Sequence, residues 1–281
     1  NMPSAAFVAA EYVAPTIGAI MSTLTFSAPI KSLKSSIKSG SLGSLNPTPW
    51  AFMTGNCIGW LAYSYITLDL FVFFANAPGL LISIWLNIGA MKLEYYNEII
   101  KYSSIETTEL AESSSEEVSE NDNQSTDING DLNDDDNICH RPPPTFSAHE
   151  WKLLQIVVIW ITILSTTSLI PINKDEMKFV IGVAVNINLI FFYAAPLSTI
   201  LTVIKTKSSE SIHLCTMIMN TVNAFFWCVY SLAIQDNYIL IPNGLGFMFG
   251  ILQTILYKCY PHNGNDTIVD GNARDDENEI I

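Results

Sequence analysis

Two sets of asparagine and tryptophan residues occur at matching positions inside strongly apolar segments of this 281-residue chain. The first set is Asn56, Trp60 and Asn76, and the second is Asn223, Trp227 and Asn243. An indole face stacks on the apolar C–H face of a pyranose, and an amide both donates to and accepts from neighbouring hydroxyl groups. Two such sets that converge predict a pocket for an uncharged polyol. For any single member, the alternative is core packing or a hydrogen bond between helices.

A shift of 167 residues superimposes the two sets and their surroundings without a gap. The residues that match include Pro29 with Pro196, Thr54 with Thr221, Tyr63 with Tyr230, Asp69 with Asp236, and Gly79 with Gly246. The chain therefore contains an internal duplication with a long insert. Its period is too long for a solenoid, whose repeats are about 20 to 50 residues. Below, two residues 167 positions apart are called repeat mates.

The composition is that of a membrane protein. Hydrophobic residues make up 49% of the chain and charged residues only 14%, where soluble domains carry about 25%. The net charge of -14 does not contradict this, because most of the acid lies within 106–136 and 266–279. Charge blocks of this kind are typical of disordered, solvated segments.

Apolar runs of about 20 residues, the length that crosses a bilayer, predict an all-α protein with seven transmembrane helices. The predicted spans are 7–30, 49–67, 70–91, 151–170, 179–201, 214–234 and 238–260. The predicted units are a first triple-helix bundle (7–92), a disordered acidic cytoplasmic linker (93–149), a single helix (150–171), a second triple-helix bundle (177–260) and a disordered cytoplasmic tail (261–281).

The basic residues predict the orientation, because Lys and Arg concentrate in cytoplasmic loops. Eleven of the 13 follow spans one, three, five and seven, and the exceptions are Lys174 and Lys178. The N-terminus is thus expected outside and the C-terminus in the cytoplasm. Both copies then have the same orientation, so an odd number of helices must join them. Span four is that inversion helix, as in transporters built from parallel repeats.

The residue types that are absent also carry information. No predicted span holds Lys, Arg, Asp, Glu or His in its interior. Glu11 falls within span one but lies near its outer end. Ion-coupled pumps depend on such groups, so their absence favours a passive carrier. No P-loop, HExxH or nucleophile elbow occurs, and the five cysteines form no CxxC pair. The sequence predicts neither an enzyme nor a metal or other cofactor.

At these residues the chain resembles the SWEET (MtN3/saliva) family of sugar facilitators. The second half carries APLSTILTVIKTKSSES, which is similar to the family's proline followed by V-x-K-T-K-S-x-E. It also carries FFWCVYS and QDNYILIPNGLGFMFGILQTILYKCY, which are similar to W-x-x-Y-G and to P-N-x-x-G-x-x-x-G-x-x-Q-x-x-x-Y. The first half matches through API, NPTPWAFMTGNCIGW and Asn76. The resemblance covers nearly all of the chain except the acidic linker and the tail.

This resemblance implies two parallel three-helix bundles joined by an inversion helix, and bidirectional, energy-independent sugar uniport by alternating access. The family's pocket asparagines fall on Asn76 and Asn243, and its pocket tryptophan falls on Trp227, with Trp60 as the partner. The inner gate or hinge falls on Pro29, Pro49 and Pro196, with His213 in place of the fourth proline. For His213, two interpretations stay open, a polar helix cap and a pH-responsive gate. The outer gate falls on Tyr63, Asp236 and Pro242, with repeat mates Tyr230 and Asp69.

Two alternatives are a PQ-loop-type carrier of another small neutral solute and a non-transporting receptor similar to the KDEL receptor. The first predicts Pro-Gln dipeptides, where the chain reads Pro29-Ile30 and Pro196-Leu197. The second needs charged pocket residues. The expected partners are a hexose such as glucose, with sucrose left open, membrane lipid and further copies of the chain in a homo-oligomer, and no nucleic acid. The plasma membrane is the default location, with Golgi and vacuolar membranes left open.

Overall fold

A computed structural model describes residues 4–43, 45–120 and 147–261, and all regular structure within them is helical. The helices are α1 (Ala5–Val8), a π-helical turn (Ala9–Val13), α2 (Ala14–Ser27), α3 (Pro29–Ser39), α4 (Thr48–Thr67), α5 (Leu70–Glu120), α6 (Ala148–Leu169), α7 (Lys174–Thr206), α8 (Leu214–Ile234) and α9 (Asn237–Cys259). The predicted linker beyond residue 120 and the predicted tail from residue 262 lie outside the described residues.

Six helical stretches among the described residues are long and apolar enough to cross a membrane. They are Ala5–Ser39, Leu70–Lys101, Ala148–Leu169, Lys174–Thr206, Leu214–Ile234 and Asn237–Cys259. The remaining predicted span, span two, is α4, whose 20 residues extend about 30 Å at 1.5 Å per residue. Eleven of them are buried, including Thr54 and Asn56. Because neighbouring helices enclose α4, it needs less apolar surface than a helix that faces lipid.

The six helices of the two repeats form a closed ring. In the first repeat α5 packs against both α2 and α4, and in the second α9 packs in the same way against α7 and α8. The repeats meet where α2 contacts α8 and where α4 contacts α7. These two contacts are equivalent, because each joins the first helix of one repeat to the second helix of the other. The ring thus has approximate twofold symmetry around its centre.

The duplication extends to the backbone conformation. Leu68 and its repeat mate Gln235 both have φ near +57°, and each ends the second helix of its repeat. Gly40 and its repeat mate Lys207 also adopt positive φ at the end of a helix. A side chain at positive φ is uncommon and costs free energy. Its occurrence at equivalent turns shows that both repeats need the same sharp reversal of the chain.

The inversion helix α6 packs on the outside of the ring against two glycines of α4. Gly55 and Gly59 have the G-x-x-x-G spacing that places two small residues on one helix face, and the Trp160 ring, 3% exposed, lies over them. A Cβ atom at Gly59 would lie 2.6 Å from Trp160 Cζ2 and 2.8 Å from Val185 Cγ2. This face of α4 therefore accepts no larger side chain without displacement of α6.

Gly59→Ala is expected to destabilise the protein by about 1–3 kcal/mol, the usual cost of overpacking a close-packed site. The measurement is the midpoint of thermal unfolding in detergent, which should fall. Gly244→Ala is the matched control, because a Cβ at Gly244 would meet nothing within 4 Å. Equal midpoints for the two variants would show that α6 does not depend on this contact.

Two helices extend beyond the boundaries predicted for their units. The acidic linker was expected to begin at residue 93, but α5 continues as a helix to Glu120. Leu, Glu, Lys and Ala are strong helix formers, and a helix satisfies its own backbone groups, so 93–120 needs no core to be helical. The second bundle was expected to begin at residue 177, but α7 begins at Lys174. There Asn173 and Glu176 each accept a hydrogen bond from the other's backbone N–H, which is a capping box.

The segment after Pro29 also differs from the predicted end of span one at residue 30. The helical path continues through Ala28, whose backbone angles are α-helical, into α3, which carries Lys31 and Lys34 on exposed positions. Proline fits the first turn of a helix, where its missing N–H would have no partner within the helix. The basic residues after span one therefore lie on a short helix that ends at Ser39.

Candidate functional site

A cavity of about 590 Å³ lies at the centre of the ring, bordered by helices of both repeats. All six residues predicted to bind substrate line it. They are Asn56, Trp60 and Asn76 from the first repeat, and Asn223, Trp227 and Asn243 from the second. The volume is in the range of small-molecule sites, about 300–1,000 Å³.

The two tryptophans occupy equivalent positions in the cavity wall. Trp60 packs edge-to-face on Tyr63 with ring centroids 5.5 Å apart, and Trp227 packs in the same way on Tyr230 at 5.9 Å. Both indoles are more than nine-tenths buried. Each ring is therefore fixed by a tyrosine one helical turn further along the same helix.

Asn76 and Asn243 also have the same geometry. Each donates one amide hydrogen to the carbonyl four residues earlier, Asn76 to Val72 at 2.9 Å and Asn243 to Ile239 at 2.8 Å. An asparagine amide has two donor hydrogens and a carbonyl oxygen. One donor and the oxygen thus stay available to a ligand in each repeat, and the bond to the helix fixes the direction of the side chain.

The residues predicted as the inner gate or hinge meet at one end of the cavity, which is called the proline end. Pro29, Pro49, Pro196 and His213 all line it. Pro49 and His213 are exposed there, so the cavity opens at this end. Pro196 lies inside α7, where it leaves one helical hydrogen bond unmade, and its own carbonyl accepts a long bond from Gln253 Nε2 at 3.4 Å.

His213 occupies the N-cap position of α8, but its side chain makes no capping hydrogen bond. The interpretation of this residue as a polar cap is therefore wrong in its chemistry, although the position at the start of the helix is right. An imidazole has no short side-chain oxygen of the kind that Ser, Thr, Asp and Asn use to cap a helix. The His213 ring borders the opening of the cavity instead.

The opposite end, called the tyrosine end, is closed by two hydrogen bonds that cross between the repeats. The Tyr63 hydroxyl donates to the Asp236 carboxylate at 2.7 Å, and the Tyr230 hydroxyl donates to Asp69 Oδ2 at 2.8 Å. The two bonds are thus equivalent, because each joins the tyrosine of one repeat to the aspartate of the other. Tyr63 is 0% exposed and Asp236 is 6% exposed. The two halves of the ring are tied together at this end only a few ångströms from the tryptophans.

The two aspartates also begin the third helix of their repeats. Asp69 Oδ1 accepts from the backbone N–H groups of Phe71 and Val72, and Asp236 Oδ1 accepts from those of Tyr238 and Ile239. Carboxylates at helix N-termini satisfy backbone donors that have no partner in the helix. Each of the two carboxylates therefore caps a helix and also accepts a hydrogen bond from a tyrosine hydroxyl of the other repeat.

Lys178 is a residue of this end that was not predicted. Its ammonium group lies 2.8 Å from Asp236 Oδ2 and 5.7 Å from the ring centroids of both Tyr63 and Tyr238. Its repeat mate is Glu11, so the two halves carry opposite charges at equivalent positions. The sequence feature that could have identified Lys178 is its position between spans four and five, on the side opposite to most of the basic residues.

Two further residues line the cavity that were not expected there, Pro242 and Tyr193. Pro242 was expected at the outer gate, but it lines the cavity beside Asn243, where its carbonyl accepts a hydrogen bond from the Tyr193 hydroxyl. Tyr193 also lines the cavity and was not predicted. Its repeat mate Phe26 has no hydroxyl, so a comparison of the repeats could not identify it.

The cavity wall is mainly apolar and carries polar groups that are not ionic. The described residues that line it include no Asp, Glu, Lys or Arg. The charged groups Asp69, Lys178 and Asp236 gather instead at the tyrosine end. Within the described ranges, no group of three His, Cys, Asp or Glu side chains is placed to hold a metal ion. The geometry suits a neutral, hydroxyl-rich solute that enters from the proline end.

Comparison with known proteins identifies relatives. Residues 13–89 and 179–265 match the sequence model of a family described as "Sugar efflux transporter for intercellular exchange". "Sugar transporter SWEET1" of Drosophila pseudoobscura pseudoobscura is 35% identical over 39% of this chain and 46% of its own length. "Bidirectional sugar transporter SWEET11" of Arabidopsis thaliana is 41% identical over 34% of this chain and 35% of its own length. "Bidirectional sugar transporter SWEET5" of the same plant is 33% identical over 43% of this chain and 51% of its own length.

The chain thus spans about a third to a half of the length of these relatives. A solved structure titled "The 3.7 A resolution structure of a eukaryotic SWEET transporter" superimposes with a TM-score of 0.64 at 18% identity, over 92% of this chain and 99% of that one. This likeness confirms the predicted fold class of an all-α membrane protein with two parallel three-helix bundles joined by an inversion helix.

Proposed function

The chain belongs to the SWEET (MtN3/saliva) family, whose sequence model matches more than half of its residues, and on that premise we propose that it is a sugar uniporter. The family is one of transporters and not of enzymes. The relatives whose names specify an activity are sugar transporters. The proposed substrate is a hexose such as glucose, moved in either direction down its concentration gradient.

The observation that carries this proposal is the uncharged cavity between two equivalent Trp and Asn walls. Trp60 and Trp227 offer aromatic surface to the C–H face of a pyranose, and Asn76 and Asn243 offer amide groups to its hydroxyls. A fixed charge would favour an ionic solute, and the described lining residues carry none. A receptor for a peptide carboxylate would need such a charge, so the cavity also argues against that alternative.

Energy independence is supported by the same absence. Coupling of sugar movement to protons or ions relies on charged groups inside the membrane, and the described lining residues include no carboxylate or lysine, with the His213 imidazole lying at the exposed opening. In the described part of the chain, the carboxylates Asp69 and Asp236 lie outside the cavity wall, and each is held by a tyrosine and by backbone N–H groups. We therefore expect uptake to continue in the presence of a protonophore.

Alternating access is supported by the two unlike ends of the cavity. In this structure the Tyr63–Asp236 and Tyr230–Asp69 bonds close the tyrosine end, while the proline end is open. Transport requires the opposite state, in which those bonds break and the helices close around Pro29, Pro49 and Pro196. Proline has no backbone N–H and so leaves a helical hydrogen bond unmade. Pro29, between α2 and α3, and Pro196, inside α7, are therefore the proposed hinges.

Uptake of radiolabelled D-glucose and sucrose into cells without sugar carriers of their own tests the proposal. We expect D-glucose to equilibrate across the membrane without response to a protonophore. A chain that moves neither sugar would refute the proposed function, and complete loss of uptake with the protonophore would refute uniport. Location in the plasma membrane, with the N-terminus outside, and homo-oligomer formation stay predictions from the sequence.

A further inference from the structure

Ser22 of α2 links two of the cavity residues in a hydrogen-bond relay. The Trp227 indole N–H donates to Ser22 Oγ at 3.1 Å, and the Ser22 hydroxyl donates to Asn223 Oδ1 at 3.0 Å. Ser22 is 7% exposed and lines the cavity beside the residues it joins. The relay joins the first helix of one repeat to the second helix of the other.

A glycine allows α2 to come this close to the indole. A Cβ atom at Gly18 would lie 3.0 Å from Trp227 Cε2 and 3.1 Å from Nε1, which is tighter than side chains normally accept. Gly18 lies one turn before Ser22, so both face the same ring. The backbone of α2 is therefore shaped to bring the Ser22 hydroxyl to the Trp227 N–H.

The indole dictates the direction of the first bond in the relay. An indole N–H can only donate, so Ser22 Oγ must accept from Trp227. The hydroxyl hydrogen of Ser22 remains as a donor, and in the structure it is directed to the carbonyl oxygen of Asn223. The Asn223 amide is thus held with its oxygen toward Ser22, which leaves its N–H donors for the cavity.

The first repeat has no such relay. The repeat mate of Ser22 is Leu189, which has no hydroxyl, and the repeat mate of Gly18 is Val185. Asn56, the mate of Asn223, has a buried Oδ1 atom without a hydrogen-bond partner among the described residues. A buried acceptor without a partner costs free energy, and this one belongs to a residue that lines the cavity. No described hydrogen bond therefore fixes the direction of the Asn56 amide, in contrast to that of Asn223.

We propose that Ser22 is a positioning residue that gives the cavity a fixed hydrogen-bonding polarity. Asn223 presents amide donors to the sugar, because its oxygen is held by Ser22. A sugar hydroxyl at Asn223 therefore acts as an acceptor. This inference rests on the proposed function, because it specifies how the same cavity orients its sugar.

Deoxy and fluorodeoxy analogues of D-glucose separate the two kinds of contact. A C–F group accepts a weak hydrogen bond but cannot donate, whereas a C–H group does neither. At the ring position that faces Asn223, the fluoro analogue should inhibit D-glucose uptake about threefold more strongly than the deoxy analogue, on the scale of one weak neutral hydrogen bond. Ser22→Ala should bring this ratio to about one, since Asn223 is then free to rotate, and Ser22→Thr should keep it.

The control is Thr23→Val, on the same helix, whose hydroxyl donates to the Ala19 carbonyl and does not line the cavity. It should keep the wild-type ratio. A ratio that persists in Ser22→Ala, or that is absent at every ring position in the wild type, would overturn the proposal. A loss of total uptake in Ser22→Ala with an unchanged ratio would also overturn it, because a general structural defect does not change selectivity.

A second measurement tests the relay without transport. In protein labelled with ¹⁵N-tryptophan, the Trp227 indole proton, assigned by its loss in Trp227→Phe, should move upfield in Ser22→Ala and return in Ser22→Thr. An unchanged resonance would show that the relay does not exist. If the wild type carries no sugar, the proposed function fails, and so does the proposed hydrogen-bonding polarity of the cavity toward a sugar. The indole resonance then still decides whether Ser22 accepts a hydrogen bond from Trp227.

Discussion

Trp60→Ala and Trp227→Ala are each expected to reduce the initial rate of sugar uptake about tenfold or more, the effect of roughly 1.4 kcal/mol in binding or transition-state free energy. Both indoles form part of the cavity wall, so alanine removes the aromatic surface that a pyranose would contact. Uptake should be measured per molecule of protein in the membrane. Because each ring borders an existing cavity, we expect the amount of folded protein to stay close to that of the wild type.

Trp85→Ala is the matched control for this pair. Trp85 lies on α5 and is 42% exposed, and it does not line the cavity. Its replacement removes an indole of the same size without touching the proposed site, so uptake should stay within about twofold of the wild type, as for most changes away from packed sites. Normal uptake by both Trp60→Ala and Trp227→Ala would show that the cavity tryptophans serve only in packing.

Asp236→Ala is expected to lower uptake about 20-fold or more, the scale of a partner removed from a buried charged network. The Asp236 carboxylate accepts from Tyr63, pairs with Lys178 and caps α9. Its loss leaves a buried hydroxyl and a lysine without their partner, although water at the Lys178 side chain, which is 33% exposed, offsets part of the cost. The state that is closed at the tyrosine end then becomes too rare for the cycle to continue.

Asp69→Ala should have a smaller effect in the same assay. Asp69 accepts from Tyr230 and caps α5, but its half of the gate carries Glu11 where the other half carries Lys178. Asp175→Ala is the control, since this exposed carboxylate lies in the first turn of α7. Equal effects of Asp69→Ala and Asp236→Ala would contradict the role given to Lys178, and wild-type uptake by both would remove the proposed gate.

The sequence was sufficient for the features that both repeats retain. Asn76 and Asn243, the two tryptophans and the Tyr–Asp gate residues stand at the same spacing in each half, so a single shift identified them. The structure then places each pair in equivalent geometry. The prediction of an inversion helix needed only the side on which the basic residues lie, because two copies with the same orientation require an odd connection.

The features that the sequence did not reveal are those in which the repeats differ. Ser22 corresponds to Leu189, Tyr193 to Phe26, and Lys178 to Glu11. Each acts on a residue more than 40 positions away in the chain, Ser22 on Trp227 of the other repeat, and Tyr193 and Lys178 on residues of their own repeat. Such partners depend on how helices rotate and approach one another, which periodicity does not determine. The helical extension to Glu120 has another reason, since an acidic, polar composition is typical of disordered segments, whereas a helix satisfies its own backbone groups without a core.

The central claim is that the cavity between the two repeats carries a sugar. Uptake of radiolabelled D-glucose into transport-deficient cells by the wild type and by Asn243→Ala tests it most directly, because the Asn243 amide lines the cavity and bonds within its own helix only through one hydrogen. The wild type is expected to equilibrate D-glucose, with or without a protonophore, and Asn243→Ala at equal abundance is expected to be at least about tenfold slower, as for the loss of a direct contact with substrate. Wild-type uptake of D-glucose and sucrose no faster than that of Asn243→Ala would contradict the account.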